Sequence, residues 1–155
     1  MKTIRILFLL IIMATLGSCL TSGLDELPVY EEAEVTNFKF EYRWAAKEGI
    51  SDILMVKPLN VDLSINKEKQ EVRCKITLPG ADSQSFTEAV RNQVSLSNIV
   101  GFCSISTAAT IHPVGNAPVL GKPGDYSQQL MQYEVIAADK KTKKTWTLII
   151  ESYEK

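Results

Sequence analysis

The sequence predicts an all-β domain folded as an antiparallel β-sandwich, and two observations support this fold class. Apolar residues alternate with polar residues in several short stretches between Val35 and Ile150, which is the period of half-buried strands. Polar turns, or turns containing glycine and proline, separate these stretches, and only one short segment has the signature of a helix. Short antiparallel strands with such turns are typical of two sheets packed face to face.

The first predicted strand alternates Phe38, Phe40 and Tyr42 with polar residues, while the region 43–51 is ambiguous and contains Gly49. A hairpin follows, because two alternating stretches flank a polar turn at 66–69. The apolar residues of its two arms are Val61, Leu63, Ile65, Val72, Cys74, Ile76 and Leu78.

A capping box formed by Ser85 and Glu88 predicts one or two helical turns near 86–92. Strands are predicted again at 99–106 and 109–112, before a loop rich in glycine and proline. The clearest element is a closing hairpin with a charged turn, whose apolar positions are Tyr133, Val135, Ala137, Trp146, Leu148 and Ile150. Trp146 shares one strand face with Leu148 and Ile150, so we expect it to be buried.

The start of the chain has the organisation of a secretory signal, with Lys2 and Arg5 before a short apolar run. The run is about half the roughly 20 residues that a membrane-spanning helix needs. It ends in Leu16-Gly17-Ser18-Cys19, which resembles the lipobox of bacterial lipoprotein precursors. This resemblance implies a signal peptide at 1–18 and a lipid on Cys19. The alternative is an ordinary signal peptide with a cysteine near its end.

Residues 19–34 have the composition of a flexible tether, and residues 35–155 have the length of one domain. The tether is acidic, since five acidic residues precede Lys39, the first basic residue after Cys19. The whole chain has 17 Lys and Arg against 18 Asp and Glu. Nucleic-acid binding is not expected, because it requires a clustered excess of basic residues.

Three landmarks resemble an immunoglobulin-like domain of unknown function that recurs in surface lipoproteins of Bacteroidota, often beside glycan-uptake machinery. They are Val35-x-x-Phe38-x-Phe40, the stretch from Ile65 through Val72 to Pro79, and Asp125-Tyr126-Ser127 followed by the closing hairpin. The chain departs from this pattern at Lys140, where the family usually has glycine. The resemblance implies a lipid-anchored outer-membrane protein on the cell surface, and it supplies no catalytic residues and no cofactor.

The residues of the domain do not form a recognisable catalytic or metal-binding motif. His112 is the only histidine and has no nucleophile signature beside it. Cys74 and Cys103 lack the partner ligands of a zinc site. Both cysteines occupy apolar strand positions, so they form either a disulfide or two separate buried thiols. We expect a protein that is not an enzyme and holds no metal.

Trp44, Tyr42 and Tyr126 are the aromatic residues that could stack on a sugar ring. Trp44 can also be interpreted as a residue that covers one end of the sandwich. The sequence therefore favours a glycan-binding accessory lipoprotein, and the alternative is a structural or protein-interaction module of a lipoprotein complex. Aromatic residues exposed in a polar cleft would favour the first function. An apolar patch or an unpaired edge strand would favour the second.

The lipobox predicts that Cys19 is acylated, and this can be measured by labelling cells with a fatty acid. The wild-type protein should incorporate the label, and Cys19→Ala should not, because the thiol that carries the lipid is removed. Label in the variant, or none in the wild type, would show that the lipobox interpretation is wrong.

Overall fold

The computed structural model describes residues 29–82 and 84–155, so the predicted signal peptide, Cys19 and most of the predicted tether lie outside the described residues. Within these ranges the chain forms β-strands, one short α-helix and one 3-10 helix. The elements, in order, are β1 Val35–Glu48, β2 Ser51–Pro58, β3 Asn60–Asn66, β4 Glu71–Thr77, α1 Glu88–Gln93, the 3-10 helix Leu96–Asn98, β5 Ile99–Ile105, β6 Thr110–Val114, β7 Pro123–Gly124, β8 Met131–Ile136 and β9 Lys143–Glu154. Among the described elements, no helix has the length and apolar character needed to cross a membrane.

The strands form two sheets that pack as a sandwich, which confirms the predicted all-β fold class. The first sheet has the order β2-β1-β5-β7, and the second has the order β3-β4-β9-β8-β6. The prediction of purely antiparallel pairing is wrong at one place, because β4 and β9 run parallel. Tight hairpins impose antiparallel pairing, but a long stretch of chain separates β4 from β9 and leaves their relative direction free.

β1 is the longest strand, and it extends well beyond the predicted segment. It continues through the region that was ambiguous in sequence and turns at Gly49 into β2. Gly49 has a φ of +61°, a left-handed conformation that glycine adopts without steric cost and that two-residue hairpins require. The short apolar run at 53–56 is therefore the centre of an edge strand.

Trp146 lies in the core at the middle of the second sheet, as predicted, with 1% of its surface exposed. Its indole Nε1 donates a hydrogen bond of 3.0 Å to the backbone carbonyl of Ala33. Glu34 continues this contact, since its backbone N–H bonds the Ser106 hydroxyl and its carboxylate pairs with Lys144. The packed part of the domain thus begins at Ala33, two residues before the expected boundary at Val35.

Tyr126 packs against the backbone of β5 at Gly101, the only residue of this strand that has no side chain. A Cβ atom built on Gly101 would lie 2.5 Å from the Tyr126 hydroxyl. That hydroxyl instead accepts a hydrogen bond of 3.2 Å from the Gly101 N–H. Glycine at this position therefore lets the loop before β8 pack closely on the first sheet.

The closing hairpin is confirmed as β8 and β9, and the turn between them has a defined geometry. The Asp139 carboxylate accepts hydrogen bonds from the backbone N–H groups of Lys141 and Thr142. Lys140 has a φ of +58°, the conformation for which glycine is the usual residue. Glycine, which the family that this sequence resembles usually has at this position, would adopt the same backbone conformation without the steric cost of a side chain.

Replacing Trp146 with alanine should lower the free energy of unfolding by about 3–5 kcal/mol, because it leaves a cavity in the core. The change would also leave the Ala33 carbonyl without its donor. Chemical denaturation gives the measurement, and Lys141→Ala in the exposed turn is the control, with an expected change within about 0.5 kcal/mol. An unchanged denaturation midpoint for Trp146→Ala would contradict the observed burial.

Candidate ligand-binding cleft

The side chains on the inner face of β1 are buried in the core at the start of the strand and partly exposed near its end. Phe38, Phe40 and Tyr42 are buried, whereas Trp44, the next residue on this face, is only partly buried. The Trp44 ring stacks on Tyr42 with ring centroids 5.7 Å apart and contacts Phe86 at 5.8 Å. One side of Trp44 is therefore supported by aromatic residues, and the remainder borders a cleft.

This cleft, which we call the Trp44 cleft, lies between the β1–β2 hairpin and the segment leading into α1, and has a volume of about 480 Å³. Ile53, Met55 and Val90 contribute apolar surface beside the indole. Its polar lining residues are Lys47, Glu48, Gln84, Ser85 and Thr87. An aromatic ring with neighbouring hydrogen-bonding side chains can stack on the apolar face of a sugar and bind its hydroxyl groups.

Asp82 holds the segment that forms one wall of the cleft. One of its carboxylate oxygens accepts hydrogen bonds from the backbone N–H groups of Gln84, Ser85 and Phe86, at 3.1, 2.8 and 2.8 Å. The other oxygen pairs with Lys57 of β2 at 3.1 Å. The bonds from Ser85 and Phe86, followed by the one from Lys57, lower the pKa of Asp82 well below its usual range.

Helix α1 continues this wall. The predicted capping box is wrong, because the N-cap lies two residues after Ser85. Thr87 is the N-cap, and its hydroxyl accepts a 3.4 Å hydrogen bond from the Val90 N–H. The Ser85 N–H is already bonded to Asp82, so Ser85 belongs to the preceding turn. At the other end of the helix, Arg91 donates to the carbonyl of Pro79 and attaches the helix to the loop after β4.

The three aromatic candidates do not form one site. Tyr126 is fully buried beneath the first sheet, because its hydroxyl bonds the backbone of Gly101 there. Tyr42 is also buried, and its ring supports Trp44 from behind. The prediction that Tyr42 and Tyr126 contact a ligand is therefore corrected, and only Trp44 reaches a cleft.

Cys74 and Cys103 lie on different sheets and are free thiols, which is the second of the two alternatives left open by the sequence. Cys74 is fully buried and Cys103 is half-buried. Burial raises the pKa of each thiol to about 12. Both therefore pack as small apolar side chains and carry little thiolate at neutral pH.

The described residues offer little reactive chemistry around the cleft. Within residues 29–82 and 84–155, no group of three histidine, cysteine or acidic side chains is placed to hold a metal ion. His112 lies exposed on β6, opposite Glu134 of β8 and in the other sheet. The arrangement at the Trp44 cleft can bind by stacking and hydrogen bonding.

The polar residues of the cleft were not predicted from the sequence. Gln84, Ser85 and Thr87 follow Asp82 in a segment without alternation, and their position beside Trp44 depends on a contact between distant parts of the chain. The available signal was Asp82 itself, because an aspartate after Pro79-Gly80 often bonds the backbone of a following turn.

Comparisons with known proteins agree with this fold. A family model described as DUF5018-related matches residues 35–149. The chain is similar to the crystal structure of a Bacteroides fragilis protein inferred to be secreted, with 37% sequence identity and a TM-score of 0.73. That match covers 83% of this chain and 100% of the other chain. A comparison with curated proteins found no match.

Asp82→Asn should destabilise the wall of the cleft, and the effect should depend on pH. A carboxylate whose pKa is lowered by folding stabilises the folded state above its unfolded pKa, here 3.8, and this stabilisation is lost as the pH falls toward the folded pKa. The difference in unfolding free energy between wild type and variant should be constant from neutral pH to about pH 5 and decrease below about pH 4.

Denaturation at a series of pH values measures this difference. Asp62→Asn is the matched control, because Asp62 lies exposed on β3, where a substitution should change the unfolding free energy by no more than about 0.5 kcal/mol. An Asp82→Asn difference that stays unchanged down to pH 2, or that increases in acid, would contradict the role of the Asp82 carboxylate.

Proposed function

The chain belongs to the DUF5018-related family, and we propose that it acts as a lipid-anchored, non-enzymatic accessory protein that binds a glycan in the Trp44 cleft. In this proposal, the lipid is on Cys19, residues 19–34 form the tether, and the immunoglobulin-like sandwich is held at the outer membrane and faces the cell surface. The relative from Bacteroides fragilis, inferred to be secreted, supports a location in the cell envelope or outside it.

The observation that carries the binding proposal is the environment of Trp44. The indole is half-buried and supported from behind by Tyr42 and Phe86, so its orientation is fixed before a ligand arrives. A preorganised ring loses little conformational entropy on binding. Gln84 and Thr87 beside it supply amide and hydroxyl groups, which are the usual partners of sugar hydroxyls.

The position of the cleft also suits a protein anchored through its N-terminus. β1 begins at Val35, and Trp44 lies about 30 Å further along this strand at ~3.3 Å per residue. The β1–β2 turn extends further still in the same direction. An anchor on the N-terminal side would therefore leave the cleft at the far end of the domain, accessible to large extracellular glycans.

The alternative function, a structural or protein-interaction module, is favoured by a different observation. β2 is an edge strand whose outward side chains include the exposed Leu54 and Val56. Unpaired apolar edges are sites of strand addition. A glycan would contact the cleft side of the hairpin, whereas an added strand would bond the backbone along the free edge of β2, so the two functions can be tested with different variants.

A glycan array probed with the purified mature chain tests the binding proposal. Trp44→Ala should weaken binding to the recognised glycans by about tenfold, equivalent to ~1.4 kcal/mol, because the stacking surface is lost. Trp44→Phe should give an intermediate loss, since a smaller aromatic ring remains. Tyr30→Ala is the control, because Tyr30 is an exposed aromatic residue outside the sheets.

Two outcomes would contradict the proposal. The first is that the wild-type protein binds no glycan on the array above the level of Trp44→Ala. The second is that binding is lost equally in Tyr30→Ala and Trp44→Ala while both variants keep the wild-type denaturation midpoint.

A further inference from the structure

We propose that β2 pairs antiparallel with β2 of a second copy of this chain, joining the first sheets of two sandwiches into one continuous sheet. The proposal does not depend on glycan binding, because it rests on the edge strand and not on the cleft.

Three of the four described sheet edges carry features that discourage strand addition. β6 contains Pro113, which lacks a backbone N–H, and β7 has only two residues, Pro123 and Gly124. β3 exposes polar residues, namely Asn60, Asp62, Ser64 and Asn66. Proline, short length and polar or charged residues are the usual means by which edges avoid pairing.

β2 has none of these features at its centre. It is eight residues long, and its only proline is the last residue, Pro58. Leu54 and Val56 point away from the core with 67% and 43% of their surface exposed. Ala45, the cross-strand neighbour of Leu54 on β1, is too small to cover it. A long apolar edge of this kind is suited to receive another strand.

The backbone of Leu54 and Val56 also faces the free edge. Glu48 and Ser51 flank the two-residue turn and form the hydrogen-bonded pair that closes it. Hydrogen-bonded and non-hydrogen-bonded pairs alternate along an antiparallel ladder, so residues 53, 55 and 57 bond β1. The N–H and C=O groups of residues 52, 54 and 56 therefore point outward, and the described strands supply no partner for them.

The sequence of β2 is complementary to itself when two copies run antiparallel. We place Leu54 opposite Val56 of the second copy, so that the two-fold axis passes through Met55. This pair of apolar residues then occurs twice, once on each side of the axis. Ile53 then lies opposite Lys57, and Asp52 lies opposite Pro58, so no like charges oppose each other. This symmetry is the reason to infer a second copy, because an isologous contact requires a surface that complements itself.

The paired arrangement would also bring the two Trp44 clefts together. β1 and β2 of each copy would lie side by side, with three strand spacings of about 4.8 Å between the two β1 strands, or ~14 Å in total. If the proposed glycan binding is correct, a single extended glycan could contact both clefts. Dimerisation itself requires no ligand.

Sedimentation equilibrium over a range of protein concentrations tests the proposal, with the mature chain carrying Cys19→Ala so that no lipid is present. The wild-type domain should form a concentration-dependent dimer. Leu54→Lys should weaken the dimer at least about tenfold, because two lysines would enter the apolar strip. Leu130→Lys is a matched control, since Leu130 is also 67% exposed but lies outside β2, and it should not change the equilibrium.

Disulfide capture tests the register. In an antiparallel ladder, Met55 would face Met55 of the second copy in a non-hydrogen-bonded pair with Cα atoms about 4.5 Å apart, within disulfide range. Met55→Cys should therefore form a covalent dimer under mild oxidation, whereas Leu130→Cys should not. A wild-type chain that stays monomeric at every concentration, or a dimer that Leu54→Lys leaves intact in a folded protein, would overturn the proposal.

Discussion

The molecule depends on the inner face of β1, where one alternating row of side chains runs from the core into the candidate site. Burying Phe38, Phe40 and Tyr42 between the sheets fixes Trp44 on the same face, because side chains alternate strictly along a strand. A shift of one residue would expose the whole row and move Trp44 to the opposite face. The same burial that stabilises the sandwich thus positions the ring that we assign to ligand binding.

Contacts from other parts of the chain keep β1 in this register. Trp146 donates to the Ala33 carbonyl just before the strand begins, and Tyr126 packs on Gly101, the cross-strand neighbour of Phe40. At the other end, Asp82 connects the turn before α1 to Lys57 of β2 and so places polar residues beside Trp44. The cleft is therefore built from sequence segments that meet only after the two sheets have packed.

The sequence allowed prediction of those features that local patterns determine. Strict alternation identified both hairpins and the burial of Trp146, since the core-facing positions recur at every second residue. The parallel pairing of β4 with β9 and the burial of Tyr126 could not be predicted, because each depends on a contact between distant segments. The N-cap of α1 was misplaced for a related reason, since the Asp82 carboxylate accepts a hydrogen bond from the Ser85 N–H and the N-cap is Thr87 instead.

Tryptophan fluorescence tests the central claim, that ligand binds beside Trp44, most directly. The chain has two tryptophans, and Trp146 is buried away from solvent, so a ligand at the cleft should affect mainly the emission of Trp44. Titration with a glycan selected on the array should shift the emission of the wild type and protect it from acrylamide quenching. Trp44→Phe should remove that response. A response that persists in Trp44→Phe would place the binding site elsewhere and contradict the account.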